Sequence, residues 1–172
     1  MTKRAVHLAA WFAFAVALPG QPQPKDIPGW DKIKWGMTIA EARAAYNVDA
    51  QPEKNNDWTL LKLNPVKVGN IEMGVQVGAR HGTEKITSVT LWSYFGLANS
   101  APSAGPQDFD TLKTLLTQEF GPPANQKTER GLNFRSIKTV LWKFPSTSIL
   151  MTMEQSASLP HLGNLIIEYT AR

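Results

Sequence analysis

Apolar and polar residues alternate most clearly in the first half of the chain. Ile71, Met73, Val75 and Val77 are each separated by one polar residue or glycine. This period of two predicts a strand over residues 71–78 with one buried face. Residues 86–95 are rich in β-branched and aromatic side chains and predict a second strand. The turn-forming segment 80–85 lies between them, so we expect the two strands to be antiparallel neighbours.

The same pattern, in weaker form, predicts four more strands, at residues 58–63, 138–144, 147–154 and 164–171. We expect Asn64 and Pro65 to end the first of these, because proline cannot donate to a strand ladder. Pro145 and Ser146 separate the next two strands and predict a tight hairpin turn. The segment 124–131 is polar and precedes these strands.

Two stretches have helical composition instead. Residues 38–46 are rich in alanine, and Thr38 with Glu41 predicts a capping box at the helix start. Asn47 can end this helix in a left-handed conformation. A second helix is predicted over residues 107–120, with Asp108 as its candidate cap and Gly121 as its end. Its apolar stripe consists of Phe109, Leu112, Leu115, Leu116 and Phe120.

Together these elements predict an α+β fold. Each half of the chain reads as a helix followed by an antiparallel meander, so we expect two such units in tandem, with the helices packed on one face of the sheet. Shifting the chain along itself places Tyr46 on Phe120 and residues 75–77 on residues 149–151, which favours an internal duplication.

The ends and boundaries of the domain are also marked in the sequence. Residues 1–20 are typical of a signal peptide, with Lys3 and Arg4 before an apolar run at 8–17 and cleavage sites after Ala17 or Gly20. A retained N-terminal anchor is the alternative. Residues 21–29 predict a linker, and residues 30–172 a single domain made of units 30–96 and 106–172. The expected location is periplasmic or secreted.

Composition narrows the classes of chemistry. The chain contains no cysteine, which excludes disulfides, thiol nucleophiles and thiolate metal sites. The full chain has a net charge of +4 that includes Lys3 and Arg4 of the predicted signal. Its basic residues are dispersed, so we expect no nucleic-acid partner. We also expect no stable membrane insertion after signal cleavage.

The start of the first helix resembles a known family. Residues 36–42, GMTIAEA, resemble the G-M-T-x-x-E-V signature of the outer-membrane assembly lipoproteins called BamE or SmpA, and residues 120–122, FGP, resemble the G-x-P that closes the helical part of that family. A tandem of helix-plus-meander units is also the plan of β-lactamase inhibitor protein. This resemblance implies a noncatalytic envelope or secreted protein that binds other proteins.

A catalytic alternative depends on the histidines that remain after signal removal. His81 and His161 both lie in predicted turns before a strand, and with Glu84 or Glu154 they could form a metal or acid-base site if they converged. An exported hydrolase or metal-dependent enzyme is therefore the alternative function. No motif brings these histidines together, and the residues predict neither a cofactor nor a bound metal.

The aromatic residues suggest the leading function. Trp92, Tyr94, Trp142 and Phe144 lie on predicted strands, where large side chains serve either as core or as an exposed binding patch. We interpret these four as the candidate binding residues. The predicted function is a noncatalytic binding module for a protein or cell-envelope component, and specific inhibition of an enzyme is a special case of it.

Overall fold

The computed structural model describes residues 25–55, 57–95, 104–131 and 135–172. The predicted signal peptide, residues 21–24 of the predicted linker and most of the segment between the two units lie outside these ranges. The helices are α1 (Ile39–Tyr46) and α2 (Asp108–Phe120). The strands are β1 (Gly29–Trp30), β2 (Ile33–Lys34), β3 (Glu53–Lys54), β4 (Trp58–Val68), β5 (Ile71–Arg80), β6 (Ile86–Phe95), β7 (Asn125–Arg130), β8 (Ser136–Lys143), β9 (Thr147–Gln155) and β10 (Gly163–Ala171).

The start of α1 follows directly from its capping residues. The Thr38 hydroxyl accepts a hydrogen bond from the backbone N–H of Glu41 at 3.2 Å, and the Glu41 carboxylate accepts one from the Thr38 N–H at 2.7 Å. These two bonds form the predicted capping box. Asn47 ends the helix with φ 51°, in the left-handed conformation. The prediction of this helix is confirmed at both ends.

The start of α2 differs from the prediction. Gln107 is the N-cap residue and its side chain makes no capping hydrogen bond. Asp108, the predicted cap, lies inside the first turn and accepts a hydrogen bond from the Gly105 N–H at 2.6 Å. The acidic side chains of the first turn still favour this end of the helix through its dipole. The predicted end is confirmed, because Gly121 has φ 82°.

One antiparallel sheet of eight strands dominates the structure, in the order β3-β4-β5-β6-β10-β9-β8-β7. Strands β3–β6 follow α1 and β7–β10 follow α2. The two sets meet at the centre, where β6 pairs with β10 from Gly163 opposite Phe95 to Thr170 opposite Ser88. The short strands β1 and β2 form a separate pair before α1.

This architecture contradicts the predicted fold class. About 52% of the described residues lie in strands, whereas the helices contain 8 and 13 residues, so the fold is mostly β and not an α+β fold with helices packed on the sheet. The prediction overweighted the helices, because their caps are strong local signals. The strands that the sequence did not predict are β1, β2, β3 and β7. They are short or polar, and only their hydrogen bonds to a neighbouring strand define them.

The predicted end of one strand is wrong, and one strand longer than two residues was not predicted. Strand β4 continues past Asn64 and Pro65 to Val68, and its register with β5 shifts between Leu63 and Val66. Such a bulge accommodates a proline that cannot donate to the ladder. The polar segment at 125–130 forms β7, whose residues are all exposed. It pairs with β8 along its length, and an edge strand needs no apolar face of its own.

The hydrophobic core lies against one face of the large sheet. Alternate residues of β5, β6, β8, β9 and β10 are buried there, together with Ile39 and Ala42 of α1 and Phe109, Leu112 and Leu116 of α2.

The segment before β1 is held against the β8–β9 turn. The Asp26 carboxylate accepts hydrogen bonds from the Ser146 hydroxyl and N–H, and the Trp35 indole N–H donates to the buried Thr147 hydroxyl at 2.7 Å. These bonds join the first and second halves of the chain.

Candidate functional site: the outer face of the sheet

The sheet face opposite the core, which we call the outer face, carries the candidate site. Side chains alternate between the two faces along each strand, and Leu91 is buried in the core, so Trp92 and Tyr94 project from the other side. Trp92 lies opposite Gly74 of β5 and Ile166 of β10, and Tyr94 lies opposite Asn164. Register thus places these residues next to one another on the outer face.

Trp92 is held close to the backbone of β5. A Cβ atom at Gly74 would lie 2.5 Å from the Trp92 ring, so only glycine fits beneath the indole. The Trp92 and Tyr94 ring centroids are 5.3 Å apart with planes inclined by 48°. Tyr94 is 41% exposed and Trp92 is half-buried. The two rings form an aromatic pair near the centre of the outer face.

A second tryptophan, Trp58, lies on the outer face of β4, on the other side of β5 from Trp92. A Cβ atom at Gly78 would lie 3.1 Å from the Trp58 ring, so this indole also lies over a glycine of β5. The Arg80 guanidinium is 5.2 Å from the Trp58 ring centroid, which is a cation–π contact within the chain. The sequence alone does not mark Trp58 as a site residue. Alternate residues of β4 face opposite sides of the sheet, and Trp58 is three positions before buried Leu61. This spacing places Trp58 on the outer face.

Polar groups border the aromatic pair on the side of β9. Asn164 lies opposite both Tyr94 and Glu154, and its side-chain oxygen is buried without a hydrogen-bond partner among the described residues. The Arg135 guanidinium lies 3.3 Å from the Glu154 carboxylate.

The structure separates the four predicted binding residues into two pairs. Trp92 and Tyr94 lie on the outer face, whereas Trp142 and Phe144 are 1% and 4% exposed and belong to the core. The Trp142 indole N–H donates to the Gly121 carbonyl at 2.9 Å, which satisfies its polar group inside the protein. Trp142 and Phe144 therefore cannot contact a partner on the outer face of the folded protein.

The two histidines of the catalytic alternative do not converge. His81 lies in the β5–β6 turn, before the start of β6, and His161 lies in the β9–β10 turn, before the start of β10. Strands β6 and β10 are antiparallel neighbours, so their starts are at opposite ends of the sheet. Over a strand of this length the separation is roughly 25 Å. In the described part of the chain, no three His, Asp or Glu side chains cluster as metal ligands.

The shifted pKa values of the described groups have structural causes away from the outer face. Hydrogen bonds from Ser146 lower the pKa of Asp26, and hydrogen bonds from Thr38 lower the pKa of Glu41. Burial raises the pKa values of Tyr46 and Tyr169, and the Tyr46 hydroxyl also donates to Asp31 at 2.8 Å. These groups stabilise caps, turns and core, and they do not form an acid-base pair.

A groove of about 690 Å³ runs beside α1 and is lined in part by Arg43, Lys54 and Glu84. The Arg43 guanidinium is already used at the end of α1, where it donates to the carbonyl oxygens of Val48 and Asp49, each at 3.0 Å. The Arg43 side chain in this groove therefore has a structural role at the end of α1.

Neither helix in the described ranges is long and apolar enough to cross a membrane.

Comparison of the chain with known protein families, with characterised proteins and with solved structures finds no significant match. The resemblance of residues 36–42 and 120–122 to the BamE family stays a prediction.

Proposed function

We propose that this chain is an exported, noncatalytic binding module that holds a protein partner on the outer face of its sheet. The observation that carries the proposal is the Trp92–Tyr94 pair, because it places two large aromatic side chains on the face opposite the core. Exposed aromatic residues with polar neighbours are typical of protein-binding surfaces.

The sheet edges are poor alternatives for docking. At one edge, β7 is fully exposed and carries Lys127 and Glu129, which form an ion pair at 2.6 Å. At the other edge, β3 has only two residues, and the part of β4 that it leaves unpaired contains Pro65 and a register shift. Charged side chains, proline and bulges are features that prevent an edge from pairing with another strand. The face is therefore the better docking surface.

The proposed location follows from the pattern of residues 1–20. Export predicts that the protein recovered from the periplasm or the culture medium begins after Ala17 or Gly20. N-terminal sequencing of that protein tests this part of the proposal. A mature protein that keeps Lys3 and Arg4 would contradict signal cleavage.

Site-specific photo-crosslinking tests the proposed face. A photoreactive amino acid at Thr90, which lies on the outer face beside Gln76 and Glu168, is expected to capture one partner protein in intact source cells. The same amino acid at Thr114, an exposed position of α2, is the matched control. Trp92→Ala is expected to abolish capture from position 90, because it removes half of the aromatic pair. Equal capture from both positions, or no effect of Trp92→Ala, would contradict the proposal.

A further inference from the structure

We propose that the partner inserts an arginine side chain against the Trp92 indole, with Glu168 as the countercharge. The inference rests on the proposed function and specifies the chemistry of the partner at the same face. It follows from three observations on the outer face: the distribution of charge, the position of Glu168, and the contrast between Trp92 and Trp58.

Charge on the outer face is distributed unevenly. Strands β6, β10 and β9 present Glu168 and Glu154 there and no lysine or arginine, whereas the adjoining β5 presents Glu72 and Arg80. The basic residues of the flanking strands lie further out, for example Lys62 on β4 and Lys143 on β8. The centre of the face is therefore acidic as well as aromatic. A partner with complementary charge brings a cation to this region.

The two central carboxylates are not equivalent. Glu154 already has Arg135 at 3.3 Å, whereas Glu168 forms no ion pair among the described residues. Glu168 lies opposite Thr90, and Trp92 is the next residue of β6 on the same face. Diagonal neighbours of this kind are about 7 Å apart, within reach of one guanidinium placed between them. Glu168 is thus the carboxylate available to a partner.

Trp58 has a cation–π contact with a basic side chain of this chain, and Trp92 has no such contact among the described residues. Both indoles lie over a glycine of β5, Gly78 for Trp58 and Gly74 for Trp92. Trp58 has the Arg80 guanidinium 5.2 Å from its ring centroid, but no Lys or Arg among the described residues makes such a contact with Trp92. A partner arginine would give Trp92 the contact that Arg80 gives Trp58. A guanidinium fits better than an ammonium, because it is planar, weakly hydrated and able to bond Glu168 with two N–H groups.

A fragment titration tests this chemistry without the partner. The probe is N-acetyl-arginine N-methylamide, and the matched control is the uncharged citrulline analogue of the same shape. Binding is followed by the indole N–H signals in two-dimensional NMR, assigned with Trp92→Phe and Trp58→Phe. We expect the arginine probe to shift the Trp92 signal saturably and about two- to fivefold more tightly than the citrulline probe. Added salt should weaken the arginine probe alone.

Two variants separate the roles of the residues. Glu168→Gln is expected to weaken the arginine probe by about two- to fivefold and to leave the citrulline probe unchanged, because it removes charge and keeps shape. Trp92→Ala should abolish the response, with the circular dichroism spectrum showing that the protein is still folded. Glu72→Gln, at an exposed position of β5, is a charge control and should have no effect.

Equal binding of the two probes, or an unchanged affinity in Glu168→Gln, would overturn the inference. A shift confined to Trp58 would also overturn it. If crosslinking from position 90 captures a partner through Trp92 while the arginine probe does not bind, the outer face is the docking site but the partner uses different chemistry. If the arginine probe binds and no crosslink forms, the proposed function fails and only the cation site stands.

Discussion

At the residue scale, the same side-chain type has opposite roles depending on the strand face. Trp142 is buried and donates its indole N–H to the Gly121 carbonyl, whereas Trp92 covers Gly74 on the outer face. Capping residues act just as locally, because the Thr38 and Glu41 side chains satisfy backbone groups that the first turn of α1 leaves free. Single substitutions at these positions therefore have separable effects.

Trp142→Ala and Trp92→Ala should differ strongly in stability. Replacement of buried Trp142 is expected to lower the free energy of unfolding by about 3–5 kcal/mol, because it leaves a cavity and an unpaired carbonyl. Replacement of half-buried Trp92 is expected to cost about 1–2 kcal/mol. Urea denaturation followed by circular dichroism measures both values. Losses of equal size would contradict the assignment of the two rings to opposite faces.

Thr38→Ala removes one half of the capping box. We expect it to lower the free energy of unfolding by about 1 kcal/mol, because the Glu41 N–H loses its acceptor. Thr38→Ser keeps the hydroxyl and is the matched control, with little expected loss. Chemical denaturation of the three proteins under the same conditions measures the effect. A serine variant as unstable as the alanine variant would show that the hydroxyl is not the source of the stabilisation.

At the element scale, the segment before β1 is attached to the far half of the chain. Ile27 precedes β1 and Trp35 follows β2. The Thr147 hydroxyl donates to the Ile27 carbonyl and accepts a hydrogen bond from the Trp35 indole N–H. Asp26 bonds Ser146 in the adjacent turn, and the Ser146 hydroxyl and N–H hold the pKa of the carboxyl below its ordinary value of 3.8. The turn between β8 and β9 is thus stabilised by residues 120 positions earlier in the chain.

Asp26→Asn should change how stability depends on pH. A carboxyl whose pKa is lower in the folded state contributes stability above its unfolded pKa of 3.8, and this contribution is lost as pH falls through the lower folded value. The wild-type protein should therefore have a higher Tm than Asp26→Asn at about pH 6, and this difference should shrink at about pH 2.5. Thermal unfolding at both pH values measures it. A difference that stays constant would show that the charge of Asp26 is not involved.

At the scale of the whole molecule, one sheet joins the two halves. The β6–β10 pairing, the Asp26–Ser146 bonds and the Trp35–Thr147 bond all connect residues before the second helix with residues after it. The core is also shared, since side chains from both helices and from strands of both halves belong to one cluster. Separate unfolding of either half would expose this core and a strand edge.

We therefore expect one cooperative unfolding transition. Calorimetry should give equal calorimetric and van't Hoff enthalpies, because neither half can unfold without exposing the shared core. Thr38→Ala in the first half and Trp142→Ala in the second should each shift the whole transition to lower temperature. Two resolved transitions, each shifted by only one of these substitutions, would contradict a shared core.

The sequence by itself determined the features that depend on near neighbours. The ends of α1, the end of α2 at Gly121 and the strand at residues 71–78 were readable because caps and alternation act within a few residues. The candidate binding residues Trp92, Tyr94, Trp142 and Phe144 were selected together as aromatic residues on predicted strands, and the sequence did not separate the buried pair from the pair on the outer face.

Only the tertiary structure decided the features that depend on pairing across the chain. Strand β7 has no apolar residue to mark it, β4 passes Pro65 through a bulge, and the joining of β6 to β10 turns two meanders into one mostly β sheet. The same pairing determines which face of the sheet each aromatic side chain occupies. It also places His81 and His161 at opposite ends of the sheet. Hydrogen-bonded register between distant strands is the physical reason, because a one-residue shift would exchange every buried side chain for an exposed one.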